Sequence, residues 1–117
     1  MISSILCLAT VIFLEARGES EIGQYAVAEV VLNRVEHEDF PNSICAVVKQ
    51  PNQFAYTSSL PDSDEKDKAL EIARDIIENG SSLTLGATYF HEERSRPYWV
   101  DHFDRTTKIG SHIFYKD

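Results

Sequence analysis

A chain of 117 residues with 43% hydrophobic content can fold one domain around a real core and has no room for a second. Nineteen acidic residues against eleven basic ones leave a formal charge of -8. That is the wrong sign for a protein that works by neutralising phosphates, so nucleic acid is not an expected partner.

Residues 2–14 are apolar apart from two serines, a cysteine and a threonine, and a run of that length predicts a buried helix rather than a strand. It is too short and too closely followed by charge to span a membrane, so no stable membrane insertion is expected. It also lacks the basic n-region and small-residue cleavage site of a secretory signal, which leaves it as the first core helix. Glu15 falls in the last turn, with Gly18 as a left-handed stop. There the helix dipole and partial burial both disfavour the anion, which would raise the pKa toward that of a general acid. The alternative is an ion pair with a nearby arginine that merely closes the helix.

Ser20 can cap a second helix whose apolar positions Ile22, Ala26, Val27, Val30, Val31 and Val35 follow helical spacing. Pro41 and Asn42 open a shorter helix over 44–48, and Gln50-Pro51-Asn52-Gln53-Phe54 breaks it. After a polar loop, a charged start at 62–67 leads into a helix with the stripe Ala69, Ile72, Ala73, Ile76 and Ile77, stopped by Gly80. The charges form a solvated face. The pattern then becomes β: one strand over 87–91, and a hairpin of 107–109 with 112–115 around Gly110-Ser111. Helices first and a small sheet last predict an α+β domain.

Cys7 and Cys45 lie on separate predicted helices without metal-ligand spacing, and read as buried small apolar groups. A disulfide between them is compatible with an oxidising compartment, but spacing alone does not establish the geometry. His91, His102 and His112, with Glu92, Glu93 and Asp101, match no helical metal-binding pair, so no metal or other cofactor is expected. Neither a serine-hydrolase elbow nor a phosphate-cradling glycine loop is present.

Seven of the twelve aromatic residues fall beyond residue 88, so some have a role besides filling the core. Trp99 follows Arg96-Pro97-Tyr98 in a loop-like segment, where it either packs the sheet onto the helices or presents a flat face to a sugar. Glu15 and Glu19 are four apart and resemble a glycosidase pair, yet neighbours on one helical face do not flank a scissile bond, and Gly18 separates them. Glu19 reads better as a favourable charge at the start of the second helix, leaving one catalytic carboxyl group.

In chain order, the blocks Glu15-Ala16-Arg17-Gly18-Glu19, Gly23-Gln24, Ala26-Val27-Ala28, Val31-Leu32-Asn33-Arg34-Val35, Phe40-Pro41-Asn42, Gln50-Pro51-Asn52-Gln53-Phe54, Ala87-Thr88-Tyr89-Phe90-His91, Trp99 and Ile109-Gly110 with His112, Phe114 and Tyr115 resemble the spore-cortex-lytic, SleB-like cell-wall hydrolases. The resemblance implies a lysozyme-like fold and one catalytic domain over 1–117. It further implies cleavage of peptidoglycan between N-acetylmuramic acid and N-acetylglucosamine as a lytic transglycosylase with a single glutamate.

By the same resemblance, Glu15 is the catalytic residue, Gln53, Phe54, Tyr89, Trp99 and His112 bind substrate, and Glu19 and Arg17 support the site. Asn33 and Arg34 read either as sugar-binding residues or as a network tying the second helix to the loop. Older usage for such proteins implies an N-acetylmuramoyl-L-alanine amidase as the alternative, and a wall-binding module without catalysis is a third. Leu14 departs from the small or polar residue that often precedes the family's glutamate. The expected partner is the peptidoglycan glycan strand, met by a monomer outside the cytoplasmic membrane. Without a clear export signal, release during phage-type lysis or removal of a leader would reconcile sequence and location.

Overall fold

The computed structural model describes residues 3–117. The first helix, α1, covers Ser4–Ala16 and starts where Ser3 Oγ accepts the Leu6 N–H. Ile2, part of the expected helix, lies outside the described residues. The seven consecutive residues from Cys7 to Phe13 are all buried, and a helix apolar on every side belongs at the centre. The other helices accordingly pack around it: α2 (Glu21–Val35), α3 (Ile44–Val48) and α4 (Asp64–Asn79). Thr10, the polar residue inside this run, donates its hydroxyl to the Leu6 carbonyl at 2.9 Å. Truncating a fully buried leucine there, such as Leu8, would cost about 3 kcal/mol.

Serine caps start the remaining helices, with Ser20, Ser43 and Ser63 each accepting a backbone N–H. The start of α3 is thus set by Ser43 rather than by Pro41 and Asn42. Gly80, with φ of 72°, ends α4 as expected, and Gly18, at 94°, turns the chain out of α1. Two expected apolar positions lie outside the core: Ile22 and Ile77 are 58% and 39% exposed. Both fall on the margins of their stripes, where tertiary packing overrides periodicity.

Cys7 and Cys45 are joined in a disulfide between α1 and α3, with Cα atoms 5.3 Å apart. This corrects their reading as simple buried apolar groups. Sequence gave each residue a helix but could not give the helices a crossing. In the chain-entropy account, closing 38 residues contributes about 4 kcal/mol.

The sheet has strand order β1-β3-β2, all antiparallel: β1 is Tyr89–Glu92, β2 Asp104–Ile109 and β3 His112–Lys116. β1 starts two residues later than expected because the carbonyls before it are taken by α2. Asn33 Nδ2 donates to Ala87 O at 2.8 Å and Arg34 Nε to Thr88 O at 2.7 Å. β2 starts earlier than expected, and a bulge between Arg105 and Thr107 disturbs the alternation by which sequence would reveal it. Phe114, fully buried with Ala26, Val30 and Ala87, fixes the sheet on α2.

Candidate active site

A groove of about 700 Å³ opens where the ends of α2 and α3 meet the sheet. One wall is the segment after α2 (Asp39, Phe40), and another is the segment after α3 (Gln50, Asn52, Gln53). The third is β1 with the following connection, contributing Tyr89, Phe90, Trp99 and Phe103 among others. In that connection Arg96 Nη2 contacts both oxygens of Asp101 at 3.1 Å, and a 3-10 turn at Val100–His102 closes it.

Aromatic packing builds the third wall. Tyr89 stacks on Phe103 at 4.3 Å between centroids, and Trp99 lies within 5.3 to 5.8 Å of Tyr89, His91, Phe103 and Tyr115. Trp99 therefore packs on the sheet and its following connection rather than between sheet and helices, and it lines the groove. Burial pushes the Tyr89 phenol upward, with Arg34 opposing, so it stays a neutral hydroxyl at neutral pH. Tyr98, one residue before Trp99, is 90% exposed and also lines the groove. Sequence reasoning missed it, although an aromatic after proline in a charged loop has no core to fill.

At the groove floor Arg34, only 3% exposed, donates Nη1 to Gln53 Oε1 at 3.2 Å. That bond orients the Gln53 amide so that its NH2 faces away from the cation. Phe54 packs against Arg34 and Phe90 with its ring half-buried and does not line the groove. Burial lowers the Arg34 pKa to about 10, so it remains a cation at neutral pH.

Glu15 lies in the last turn of α1, half-buried, and its Oε2 accepts the Ala55 N–H at 3.0 Å. This bond places it beside the 50–56 segment that forms the second wall, outside the residues lining the groove itself. Among the described residues no cation pairs with Glu15, which removes the reading of a helix-closing ion pair. The nearby Arg17 is not brought to it: the guanidinium lies 4.7 Å over the Phe13 ring, beside a smaller cavity that includes Gly18 and Lys68.

Glu19 does more than favour the start of α2. Its carboxylate accepts the backbone N–H and the hydroxyl of Ser111, at 3.1 and 2.6 Å, and so clamps the β2–β3 turn. These hydrogen bonds, the hydroxyl first, outweigh partial burial and hold its pKa below the usual carboxylate value. Gly110 has φ of 59°, and a Cβ there would run into Glu19 Oε1. His112 is buried against Phe90, and its Nδ1 has no hydrogen-bond partner among the described residues. It lies outside the groove lining. His91 is spent on the Glu92 carbonyl and the Tyr115 hydroxyl.

Among the described residues, His37, Asp39 and Asp117 form one close group of potential ligand atoms. Its geometry is already explained: His37 Nδ1 accepts the Asp39 N–H at 3.0 Å, and Nε2 faces Asp117 at 3.4 Å. No described helix is long and apolar enough to cross a membrane.

Comparison with known proteins agrees with this architecture. The spore cortex-lytic enzymes of Bacillus cereus and Bacillus subtilis are 31% and 32% identical, over 97% and 96% of this chain. The chain spans only 44% and 37% of their lengths. The solved catalytic domain of the germination-specific lytic transglycosylase SleB from Bacillus anthracis superposes with a TM-score of 0.82 at 32% identity, covering 97% of this chain and 93% of that one. The catalytic domain of Bacillus cereus SleB gives 0.78, also at 32% identity, covering 97% and 89%. The cell wall hydrolase family model matches residues 18–115, an interval that opens three residues after Glu15. With an α+β fold shared almost end to end and that match over most of its length, the chain belongs to the cell wall hydrolase family.

Proposed function

We propose that the chain, over 1–117, is a single catalytic domain that cleaves the peptidoglycan glycan strand between N-acetylmuramic acid and N-acetylglucosamine as a lytic transglycosylase. The observation that carries this reading is the likeness over 97% of the chain to a catalytic domain described as a lytic transglycosylase. The site chemistry is compatible with it. Glu15, protonated, donates to the glycosidic oxygen while an oxocarbenium-like state develops on the muramic ring. The resulting carboxylate then takes the proton of the muramic C6 hydroxyl, whose oxygen closes a 1,6-anhydro ring. The nucleophile is internal, so no second carboxylate is required to activate water. The Ala55 N–H beside Glu15 helps to hold the carboxylate in place through both steps.

In the groove, the Gln53 amide and the Tyr89 hydroxyl bind acetamido and hydroxyl groups, and Trp99 with the exposed Tyr98 offers faces for sugar rings. Phe54 and His112 act from behind this surface by fixing Arg34 and Phe90, while Glu19 supports the site through the β-turn. Arg17 supports the end of α1 through Phe13. A Cys7–Cys45 disulfide suits work on the wall outside the cytoplasmic membrane.

Mass spectrometry of peptidoglycan digested by the protein tests the reaction. Anhydro-muropeptides are the expected products. Reducing ends would instead indicate hydrolysis, freed stem peptides an amidase, and intact glycan a wall-binding module.

A further inference from the structure

Arg34 is a buried cation without a counter-ion. Among the described residues no carboxylate pairs with it, although charges inside proteins are ordinarily paired. Of the acids nearest the groove, Asp117 faces His37 Nε2 at 3.4 Å, and Asp39 is exposed on the groove wall and forms no ion pair with the guanidinium. Of the five N–H groups of a guanidinium, Nε–H goes to Thr88 O and one Nη1–H to Gln53 Oε1. One Nη1–H and both Nη2–H groups have no acceptor among the described residues. Nη2 is not sealed from solvent either, since this unpartnered nitrogen is not among the fully buried side-chain atoms.

Three rings hold the cation in place. Phe40, Phe54 and Tyr89 lie 4.7, 4.8 and 4.9 Å from Cζ, which offsets part of the desolvation cost and fixes the plane of the fork. A rigid planar fork with an unused edge suits a carboxylate, which it can take through two parallel bonds. The chain as a whole carries net charge -8, so this position is a local positive charge on an acidic body. Gln50 lines the same groove, with its Oε1 turned into the protein.

We infer that the groove contains a carboxylate-binding subsite in which the free N–H edge of Arg34 takes a carboxylate borne by the glycan. The inference rests on the proposed substrate. The carboxylate comes either from the lactyl group of a peptide-free muramic acid or from the stem peptide. Binding then depends on what the muramic acid carries, and neutralising that group weakens it.

Calorimetric titration of the intact chain with alternating N-acetylglucosamine–N-acetylmuramic acid tetrasaccharides separates these cases. The free acid, its methyl ester and an L-alanyl-D-glutamate derivative are compared, with chitotetraose as the control without carboxylates. A carboxylate ligand should bind about ten-fold more tightly than the ester, the gain of one charge-assisted contact. Preference for the free acid assigns the lactyl source, and preference for the dipeptide assigns the stem. In Arg34→Met the ratio of acid to ester should fall to about one, a change that a purely structural arginine would not produce. Equal binding of acid, dipeptide and ester by the unaltered chain overturns the inference whether or not the variant folds. If peptidoglycan is still cleaved, the proposed function survives that result. If no tetrasaccharide binds the inference also falls, and without cleavage the proposed function falls with it.

Discussion

Glu29 and Arg34 lie five residues apart on α2, each 3% exposed, yet their surroundings differ in kind. Glu29 is saturated: its oxygens accept the Leu83 and Thr84 N–H groups at 2.7 Å and the hydroxyls of Ser81 and Thr84. Burial is the largest single effect and pushes the pKa up, but the four donors together outweigh it and hold the pKa low. Arg34 has the same burial but only two hydrogen bonds, and it lines the groove. A buried charge whose bonding is complete within the protein is a fastener. One left incomplete at a groove wall is a place for a ligand.

Substitutions at these carboxylates and at Arg34 should separate the two roles. Glu29→Gln retains the shape but presents an amide NH2 to donors, and should cost about 3 kcal/mol in denaturant unfolding. A loss below about 1 kcal/mol would show that the 81–84 segment does not depend on this acceptor. Glu19→Gln, at the second carboxylate fastener, should cost about 1 kcal/mol at neutral pH. The depressed pKa of Glu19 gives the acid dependence its sign. Its contribution is complete above the ordinary value of 4.5 and is lost as pH falls below that toward the lower folded value. Thermal unfolding between pH 3 and 6 should therefore show a shallower acid limb in the variant, and parallel curves would contradict the clamp.

At the open end of the comparison, Arg34→Met exchanges two hydrogen bonds for relief of an unpaired buried charge, so its stability should change by no more than about 1 kcal/mol. A loss as large as that of Glu29→Gln would make Arg34 a fastener too. Tyr98→Ala should have the smallest effect on folding, within about 0.5 kcal/mol. It should still weaken chitooligosaccharide binding about three-fold through loss of an exposed aromatic face. Unchanged affinity would remove Tyr98 from the groove's working surface.

Elements that depend on local signals were legible in the sequence. Ser20 and Gly80 bounded their helices, the unbroken apolar run predicted the central helix, and Gly110-Ser111 located the hairpin. Features made by distant parts of the chain were not. The Cys7–Cys45 bridge depends on how α1 crosses α3. The late start of β1 depends on Asn33 and Arg34 capturing carbonyls 54 residues away. Glu19 illustrates the same limit at the site, because its partner Ser111 is 92 residues along the chain. Glu15 was readable as a carboxyl group at a helix end, but its position beside Ala55, next to the segment that forms one wall of the groove, required the fold.

The central claim is that Glu15 is the acid and then the base of glycan cleavage, and Glu15→Gln tests it most directly. With purified peptidoglycan as substrate and thermal unfolding as the check on folding, the variant should keep the wild-type melting temperature and release no anhydro-muropeptides. Turnover close to that of the wild type would contradict the assignment.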